Sequence, residues 1–260
     1  VGYLTLDGRV YLQGHGLLID REVPHSMQPH AWRQDVSAFA DKSSLILRYL
    51  LARGSAGVGV RELAAHLAIS PALVSRVMAR LKGDGFLIER ASEDRIHEAA
   101  ALLDDWVEFY RRRARRQAER RLYLHARDVS SVMRRLAEGA RRGALPQWGL
   151  SFHAGASLVA PFAFFSEVHV LIGGPAWDEG VEAFARRFAL EPAAEEANVI
   201  LVRPYYADSW HYGLRRIKGL PVVADLQLYL DLMTYPRRGP EQAERIRERM
   251  HLGGSAATAR

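Results

Sequence analysis

The stretch KSSLILRYLLARGSAGVGVRELAAHLAISPALVSRVMARLKGDGFLIERASEDRIH, residues Lys42–His97, decides the fold. Apolar side chains recur there at helical spacing in three short segments, which predicts three helices. A good N-cap and a favoured first helical residue, Ser70 and Pro71, open the third of them. The predicted helices are Ser43–Ala52, Val60–Leu67 and Pro71–Lys82. The short turn between the last two predicts a helix-turn-helix.

Two short strands are predicted after the third helix, at Phe86–Arg90 and Arg95–His97, with residues 91–94 as the tip between them. A helix-turn-helix followed by such a hairpin is a winged helix-turn-helix, whose last helix enters the major groove of DNA. A small helical packing domain with a solvated charged face is the alternative. It explains the helices but not the agreement of cap, turn spacing and wing.

The third helix leaves a polar face outside when its apolar residues turn inward. On that face Arg76 can form a bidentate pair with guanine, and Ser75 can reach a base or a phosphate. Flanking basic residues suit phosphates. In this module the residues expected to contact DNA are Ser70, Ala72, Ser75, Arg76, Arg80, Lys82, Arg90 and Arg95.

The positive charge of the chain coincides with this module. The formal net charge is +6, and residues 41–127 alone hold 17 basic and 11 acidic side chains. One long helix is predicted over most of 96–124, with a short strand at 122–124 as the alternative for its last residues, and the helix carries the run RRRARRQAERR at 111–121. This helix is either a solvated connection or an arm that contacts phosphates. Under the second interpretation the additional DNA-contacting residues are Arg112, Arg113, Arg115 and Arg116.

Composition limits the class of protein. The 260 residues suffice for two domains, and 48% hydrophobic with 25% charged residues is ordinary for a globular chain. There is no cysteine, no apolar run long enough for a membrane span and no visible secretory signal. We therefore expect a cytoplasmic protein without membrane association, thiolate metal sites or disulfides.

The remaining sequence predicts an α+β chain with an N-terminal β-hairpin and a C-terminal mixed α/β domain. The hairpin turns at Asp7-Gly8, a third strand is expected at Leu17–Ile19, and residues 23–32 are expected to be loop. The expected divisions are 1–98 for the hairpin and DNA-binding domain, 99–121 for the Arg-rich linking helix, 122–252 for the α/β domain and 253–260 for a flexible tail. The expected C-terminal elements are helices at 128–142, 151–165, 177–188, 225–232 and 240–250, and strands at 168–172 and 198–202.

No catalytic or cofactor motif is found. The chain has no GxGxxG, Walker A or GxSxG sequence, and its histidines lack helical metal-ligand spacing apart from His25 and His30, in a Pro-containing loop. Glu167-Val168-His169 is similar to a nuclease Glu-x-Lys signature that lacks its Lys, and a core histidine is the simpler interpretation. We expect no enzyme activity, no metal and no cofactor.

Two further features of the sequence allow more than one interpretation. The aromatic segment 205–212 fits buried core, a protein-contact patch or the lining of a ligand pocket. Asp225 fits an N-cap of the helix that follows it.

The C-terminal block LPVVADLQLYLDLMTYPRRGPEQAERIRE, residues Leu220–Glu248, resembles the AbiEi-like antitoxins of type IV toxin–antitoxin systems. The resemblance continues through LLDDWVEFYRRR (Leu102–Arg113), GLSFHAGASLVAPF (Gly149–Phe162) and NVILVRP (Asn198–Pro204), and it covers nearly the whole chain. It implies a repressor that binds promoter repeats in double-stranded DNA. It also implies a C-terminal domain that counteracts a nucleotidyltransferase toxin without a stable complex.

Two other classes of function remain open alongside this one. The first is a DNA-targeted enzyme with a nuclease-like C-terminal domain. The second is a winged-helix regulator that senses a small molecule at the aromatic segment. The sequence leaves a monomer and a homodimer equally open.

Overall fold

In the computed structural model the described residues are 37–53, 57–90, 93–114, 117–141 and 145–250, together with three N-terminal strands. These strands are β1 (Gly2–Leu4), β2 (Val10–Gly14) and β3 (Leu17–Arg21), and they pair antiparallel in that order. The expected turn at residues 7–8, the expected loop at 23–32 and the tail from 253 lie outside the described residues.

The chain divides into two compact units, Val1–Val36 and Ser37–Arg260. The boundaries expected at residues 98 and 121 fall inside the second unit, and as divisions of function they stay predictions.

The second unit begins with three helices and two strands. They are α1 (Asp41–Arg53), α2 (Val60–Leu67), α3 (Pro71–Gly83), β4 (Leu87–Arg90) and β5 (Glu93–Ile96). Each of the three helices begins and ends within two residues of its predicted position. Ala68 closes α2 in the left-handed conformation, with φ at 52°, and β4 pairs antiparallel with β5. Val58 forms an additional antiparallel bridge to Asp94, so the chain before α2 joins this strand pair.

A seven-stranded mixed sheet forms the centre of the rest of the unit. Its strands are β6 (Glu119–Tyr123), β7 (Trp148–Leu150), β8 (Val168–Ile172), β9 (Glu191–Pro192), β10 (Val199–Val202), β11 (Arg215–Ile217) and β12 (Leu220–Val222). The order is β11-β12-β7-β8-β10-β6-β9, with β8/β10 and β7/β12 parallel and the other pairs antiparallel.

Helices cover both faces of this sheet at its centre. Every residue of β8 and β10 is buried, and successive residues of a strand face opposite sides. The helices are α4 (Ala99–Ala114), α5 (Val129–Gly139), α6 (Phe152–Ser157), α7 (Trp177–Phe188), α8 (Asp225–Thr234) and α9 (Gly239–Arg247). Helices α5 and α7 pack together, and α4, α6 and α9 each pack against α8. None of the helices in the described ranges has the length and apolar composition needed to cross a bilayer.

The prediction of one helix over 96–124 is wrong in its second half. Helix α4 ends at Ala114, and Glu119–Tyr123 is a strand between β10 and β9. Arg is a good helix former, but intrinsic helix propensity is a small effect that tertiary context overrides, and here the hydrogen bonds offered by β10 outweigh it. Helix α4 is also no solvated connection, because its apolar side is buried against α8.

The prediction of a buried helix over 151–165 is also too long. Helix α6 has only six residues, and Leu150 belongs to β7. Pro161 disfavours a helical conformation at Ala160, so the helix ends before it.

The N-cap prediction for Asp225 is wrong as well: Ala224 is the N-cap, and the Asp225 carboxylate binds Arg215. Strands β7, β9, β11 and β12 were not predicted, since each has only two or three residues.

Helix α1 is joined to the α/β part by polar contacts. The Asp41 carboxylate accepts hydrogen bonds from the backbone N–H groups of Ala207, Asp208 and Ser209 at 2.6–2.9 Å. The hydroxyls of Ser44 and Ser209, both buried, are 2.7 Å apart. The segment carrying α1–α3 is therefore fixed to the large sheet rather than tethered to it by a linker.

Candidate nucleic-acid interface and buried polar cluster

Helix α3 is oriented by its cap and its apolar face. The Ser70 hydroxyl oxygen accepts a hydrogen bond from the Leu73 N–H at 3.2 Å, and Pro71 lies in the first turn. This confirms the predicted cap. The buried side chains of the helix are Val74, Val77, Met78 and Leu81. The opposite face is consequently exposed to solvent.

That exposed face carries Ala72, Ser75 and Arg76 in its first half. The Arg76 Nε donates to the Ala72 carbonyl oxygen at 3.3 Å, which keeps the side chain close to its own helix. Within the described part of the chain, Arg76 forms no ion pair. Its guanidinium can therefore reach a DNA base without first giving up a carboxylate partner.

The basic residues at the end of α3 are paired instead. Arg80 donates to Asp84 at 2.7 Å, and Lys82 lies 2.7 Å from Asp94 and 3.4 Å from Glu89. The hydrogen bond to Asp94 raises the pKa of the Lys82 ammonium. Lys82 joins α3 to the β4–β5 pair, so a phosphate would have to compete with two carboxylates for it.

The predicted contacts from the strand pair are less well defined. Arg95 lies on β5 opposite Ile88 and is partly buried. The side chain of Arg90 and the tip residues 91 and 92 lie outside the described residues.

The Arg-rich run does not form one basic stripe. Arg112 and Arg113 are exposed at the end of α4, where Arg112 lies 3.7 Å from Glu108 and Arg113 lies 3.9 Å from the Phe109 ring centroid. Arg115 and Arg116 lie outside the described residues. Arg120 and Arg121 are on β6 and pair with acidic residues of the α/β part, at 3.0 and 2.7 Å. The basic run 111–121, predicted to act as one phosphate-contacting arm, therefore separates into groups with different environments.

A buried polar cluster lies where α1, α4 and α8 meet. Asp231 of α8 accepts hydrogen bonds from the hydroxyls of Tyr110 and Ser151, at 2.6 and 2.5 Å, and from the Gln227 amide at 2.8 Å. The Gln227 carbonyl oxygen in turn accepts from Arg48 of α1 at 2.6 Å. All five side chains are buried. Gln227 thus bridges a buried cation and a buried carboxyl group.

Burial dominates the electrostatics of this cluster. It lowers the pKa of the Arg48 guanidinium, and it raises the pKa of Asp231 to about 6 although three hydrogen bonds act in the other direction. Nε and Nη1 of Arg48 have no hydrogen-bond partner in the described ranges, and its Cζ lies 5.5 Å from the ring centroids of Trp106 and Tyr206. Cation–π attraction offsets part of the desolvation cost. The cluster is shielded from solvent, and its hydrogen bonds connect α1, α4 and α8.

Sequence reasoning missed this cluster. Arg48 follows Leu45-Ile46-Leu47 and precedes Tyr49-Leu50 in a helix expected to have one apolar face. In the structure α1 is buried on most of its circumference, from Ser43 to Leu50 except for Leu45. The sequence signal that could have revealed the cluster is a single Arg inside an apolar run. When such an Arg is buried, it needs a polar partner from elsewhere in the chain.

The segment that is similar to a nuclease signature has structural partners. Glu167 lies 2.7 Å from Arg121 and accepts a hydrogen bond from the Tyr235 hydroxyl at 3.3 Å. His169 is 6% exposed between the rings of Phe152 and Tyr235, and burial lowers its pKa to about 4. This is the environment of a neutral core histidine, with the carboxylate satisfied beside it.

The aromatic segment at 205–212 is divided between core and surface. Tyr206 and Trp210 are buried, whereas Tyr205, His211 and Tyr212 are partly exposed. The Tyr206 hydroxyl accepts from the Trp106 indole N–H and donates to the Phe39 carbonyl oxygen, both at 2.8 Å. The core interpretation therefore holds for Tyr206 and Trp210.

The exposed face of α3 and the buried cluster are the two arrangements from which a role can be inferred. His25 and His30, which the sequence places together in a Pro-containing loop, lie outside the described residues. Within the described ranges, no group of three or more His, Asp or Glu side chains is placed to hold a metal ion.

No protein family, curated protein or solved structure matches this chain in the comparisons.

Proposed function

We propose that the protein is a sequence-specific DNA-binding transcriptional regulator and that residues 41–97 act as a winged helix-turn-helix. The observation that carries the proposal is α3, whose exposed face presents Ser75 and Arg76 while its apolar face is fixed on α1 and α2. The β4–β5 pair follows it directly, in the position of a wing.

In this proposal α3 enters the major groove with its N-terminal half against base edges. Arg76 reads a guanine through its O6 and N7 atoms, the commonest specific contact of this kind. Lys82 and Arg80 keep their carboxylate partners and orient α3, while Arg112 and Arg113 add sequence-independent attraction to phosphates.

The Arg76→Ala variant tests the base-reading role. We expect it to weaken binding to a duplex selected from a random library by about 1–3 kcal/mol, because one bidentate base contact is lost. Fluorescence anisotropy with the selected duplex and with a random duplex measures both affinities at one salt concentration. Binding to the random duplex should change little.

The matched control is Arg186→Ala. Arg186 is an exposed Arg on α7, paired with Glu182 at 3.5 Å, and its loss also removes one positive charge. It should leave both affinities nearly unchanged. An equal loss on both duplexes for Arg76→Ala would show that Arg76 does not read bases. Absence of any DNA binding by the unaltered chain would overturn the proposal itself.

The resemblance to AbiEi-like antitoxins supports a second proposed activity of the same protein. In this proposal the α/β part counteracts a nucleotidyltransferase toxin, with α8 and α9 formed by the block that carries the closest resemblance. The two activities then belong to different parts of one compact unit.

Growth of cells that express a nucleotidyltransferase from a neighbouring reading frame tests this activity. We expect co-expression of the full chain from an unrelated promoter to restore growth. The Arg76→Ala variant should restore growth equally well, because toxin neutralisation then needs no operator. Growth arrest that persists in the presence of the soluble chain would contradict the antitoxin role and leave the DNA-binding proposal unaffected.

A further inference from the structure

Besides the exposed face of α3 and the buried cluster, the α/β part carries an open cleft of about 430 Å³. The cleft lies between the start of β7 and the β11–β12 strand pair, beside the end of α5. Clefts that hold small-molecule ligands have volumes of about 300–1,000 Å³ and mostly apolar walls. The large apolar side chains that line this cleft are Leu145, Pro146, Trp148, Leu214 and Pro221.

Arg216 is the cation of this cleft. Its side chain is exposed, and in the described part of the chain it has no carboxylate partner, whereas its neighbour Arg215 binds Asp225. The Arg216 Nη1 donates to the Gly219 carbonyl oxygen at 3.1 Å, which holds the guanidinium beside the turn that follows β11. A guanidinium has five N–H donors, so the others are left for a ligand.

The two remaining polar side chains of the lining, Gln147 and His211, are uncharged. Burial lowers the pKa of the His211 imidazole, although the nearby Asp208 carboxylate acts in the opposite direction. Asp208 does not line the cleft, and it pairs with Lys42 at 3.6 Å. A neutral imidazole and an amide offer hydrogen bonds to a ligand without changing the charge of the cleft.

The charge of the lining favours an anion. Among the described residues no Asp or Glu side chain lines the cleft, so the charge of Arg216 is not balanced there. The acidic residues nearest along the chain lie outside the lining; they are Glu138, Asp208 and Asp225. Further exposed cations close to the cleft residues along the chain are Arg141 and Lys218.

The walls of the cleft are ordered before any ligand binds. Trp148 lies opposite Ile172 in the β7–β8 pair, and its ring packs edge-on against the Phe184 ring with centroids 5.2 Å apart. The Leu214 N–H donates to the His211 carbonyl oxygen at 2.9 Å. A ligand that enters a preformed cleft loses less of its binding free energy to the ordering of the protein.

We propose that this cleft binds a small aromatic carboxylate, with its ring between the apolar walls and its carboxylate on Arg216. The planar guanidinium presents paired N–H groups that match the two oxygens of a carboxylate. A rigid ring fills the space between apolar walls with fewer torsions to immobilise than an alkyl chain of similar size. The inference stands independently of DNA binding, which no step of it uses.

Saturation-transfer NMR titration of the full chain with naphthalene-2-carboxylate tests the site, and 2-naphthylmethanol is the uncharged analogue of similar shape. We expect the carboxylate to bind with a dissociation constant of about 1 mM or below, as is usual for a ligand of this size. The alcohol should bind at least about tenfold more weakly, because it cannot form a charge-assisted pair with Arg216.

Arg216→Gln should raise the dissociation constant of the carboxylate about tenfold or more and leave that of the alcohol nearly unchanged. Arg216→Lys should lie between the two, since an ammonium keeps the charge but not the paired donors. Arg245→Gln is the matched control, because Arg245 is exposed on α9 and does not line the cleft. All three variants should keep the thermal unfolding midpoint within a few degrees, because both Arg side chains are exposed.

The unaltered, folded chain failing to bind naphthalene-2-carboxylate would overturn the proposal, as would an affinity that Arg216→Gln leaves unchanged. Equal binding of the carboxylate and the alcohol would also contradict it, because the cleft would then recognise only apolar surface. Tighter binding of hexanoate than of naphthalene-2-carboxylate would exclude the aromatic class of ligand.

Discussion

We expect the Asp231→Ala substitution to lower the free energy of unfolding by about 3–5 kcal/mol. The substitution removes the acceptor of three buried hydrogen bonds, from Tyr110, Ser151 and Gln227. It also leaves the buried Arg48 cation without its compensating carboxyl group and opens a cavity. Urea denaturation of the full chain at pH 7, followed by circular dichroism, measures the change.

Two further variants test whether the loss of stability comes from buried polar groups that no longer have partners. Arg48→Met combined with Asp231→Leu replaces both charged groups by apolar ones, and we expect it to be less destabilised than the sum of its single variants. Asp178→Ala is the control, because the Asp178 side chain is 74% exposed and its salt bridge among the described residues is the one with Arg120 at 3.0 Å. Additive effects in the double variant, or a loss below about 1 kcal/mol for Asp231→Ala, would show that the cluster is not coupled.

The second large effect concerns the pH dependence of stability. His169 has a folded-state pKa of about 4, below its ordinary value of 6.5, because burial disfavours the imidazolium. The unfolded chain therefore binds a proton between pH 6.5 and pH 4 that the folded chain does not. Stability is fully present above pH 6.5 and is lost as the pH falls, by about 3 kcal/mol at pH 4.

The His169→Phe variant isolates this contribution. The variant keeps the ring contacts with Phe152 and Tyr235, and it removes the titrating group. We expect its unfolding free energy to fall less than that of the unaltered chain between pH 6.5 and pH 4. The variant must be compared with the unaltered chain because Asp231 has the opposite effect on stability. Its pKa is raised to about 6 in the folded chain, so stability increases as the pH falls from 6 to 3.8.

His125→Phe is the matched control for this measurement. The His125 side chain is 69% exposed near Glu191. Its substitution should leave the pH dependence of the unaltered chain nearly unchanged. The same pH dependence in His169→Phe and in the unaltered chain would rule out His169 as its source.

Local sequence signals were sufficient where the cause is local. The cap at Ser70, the apolar face of α3 and the break after it all lie within fifteen residues, and the helix forms as predicted. The strong strands β8 and β10 were also predicted, because continuous apolar runs are typical of a sheet covered on both faces.

Several errors arose where a distant partner decides the local structure. Glu119–Tyr123 becomes a strand because β10 and β9 offer backbone hydrogen bonds on its two sides. Asp225 leaves its expected capping role because Arg215 lies within reach of its carboxylate. In the candidate interface, Lys82 is bound by Asp94 and Glu89, which sequence spacing did not reveal.

By itself the sequence determined the helix-turn-helix pattern, the balance of charge and the apolar strands, since these follow from side-chain periodicity and backbone preference. Only the tertiary structure decided that Arg48 and Asp231 share one buried cluster, because their partners come from α1, α4 and α8. It also decided that Phe164 is left in water. Burial depends on which elements meet, and residues 80 to 179 positions apart in the chain meet only when the whole unit has folded.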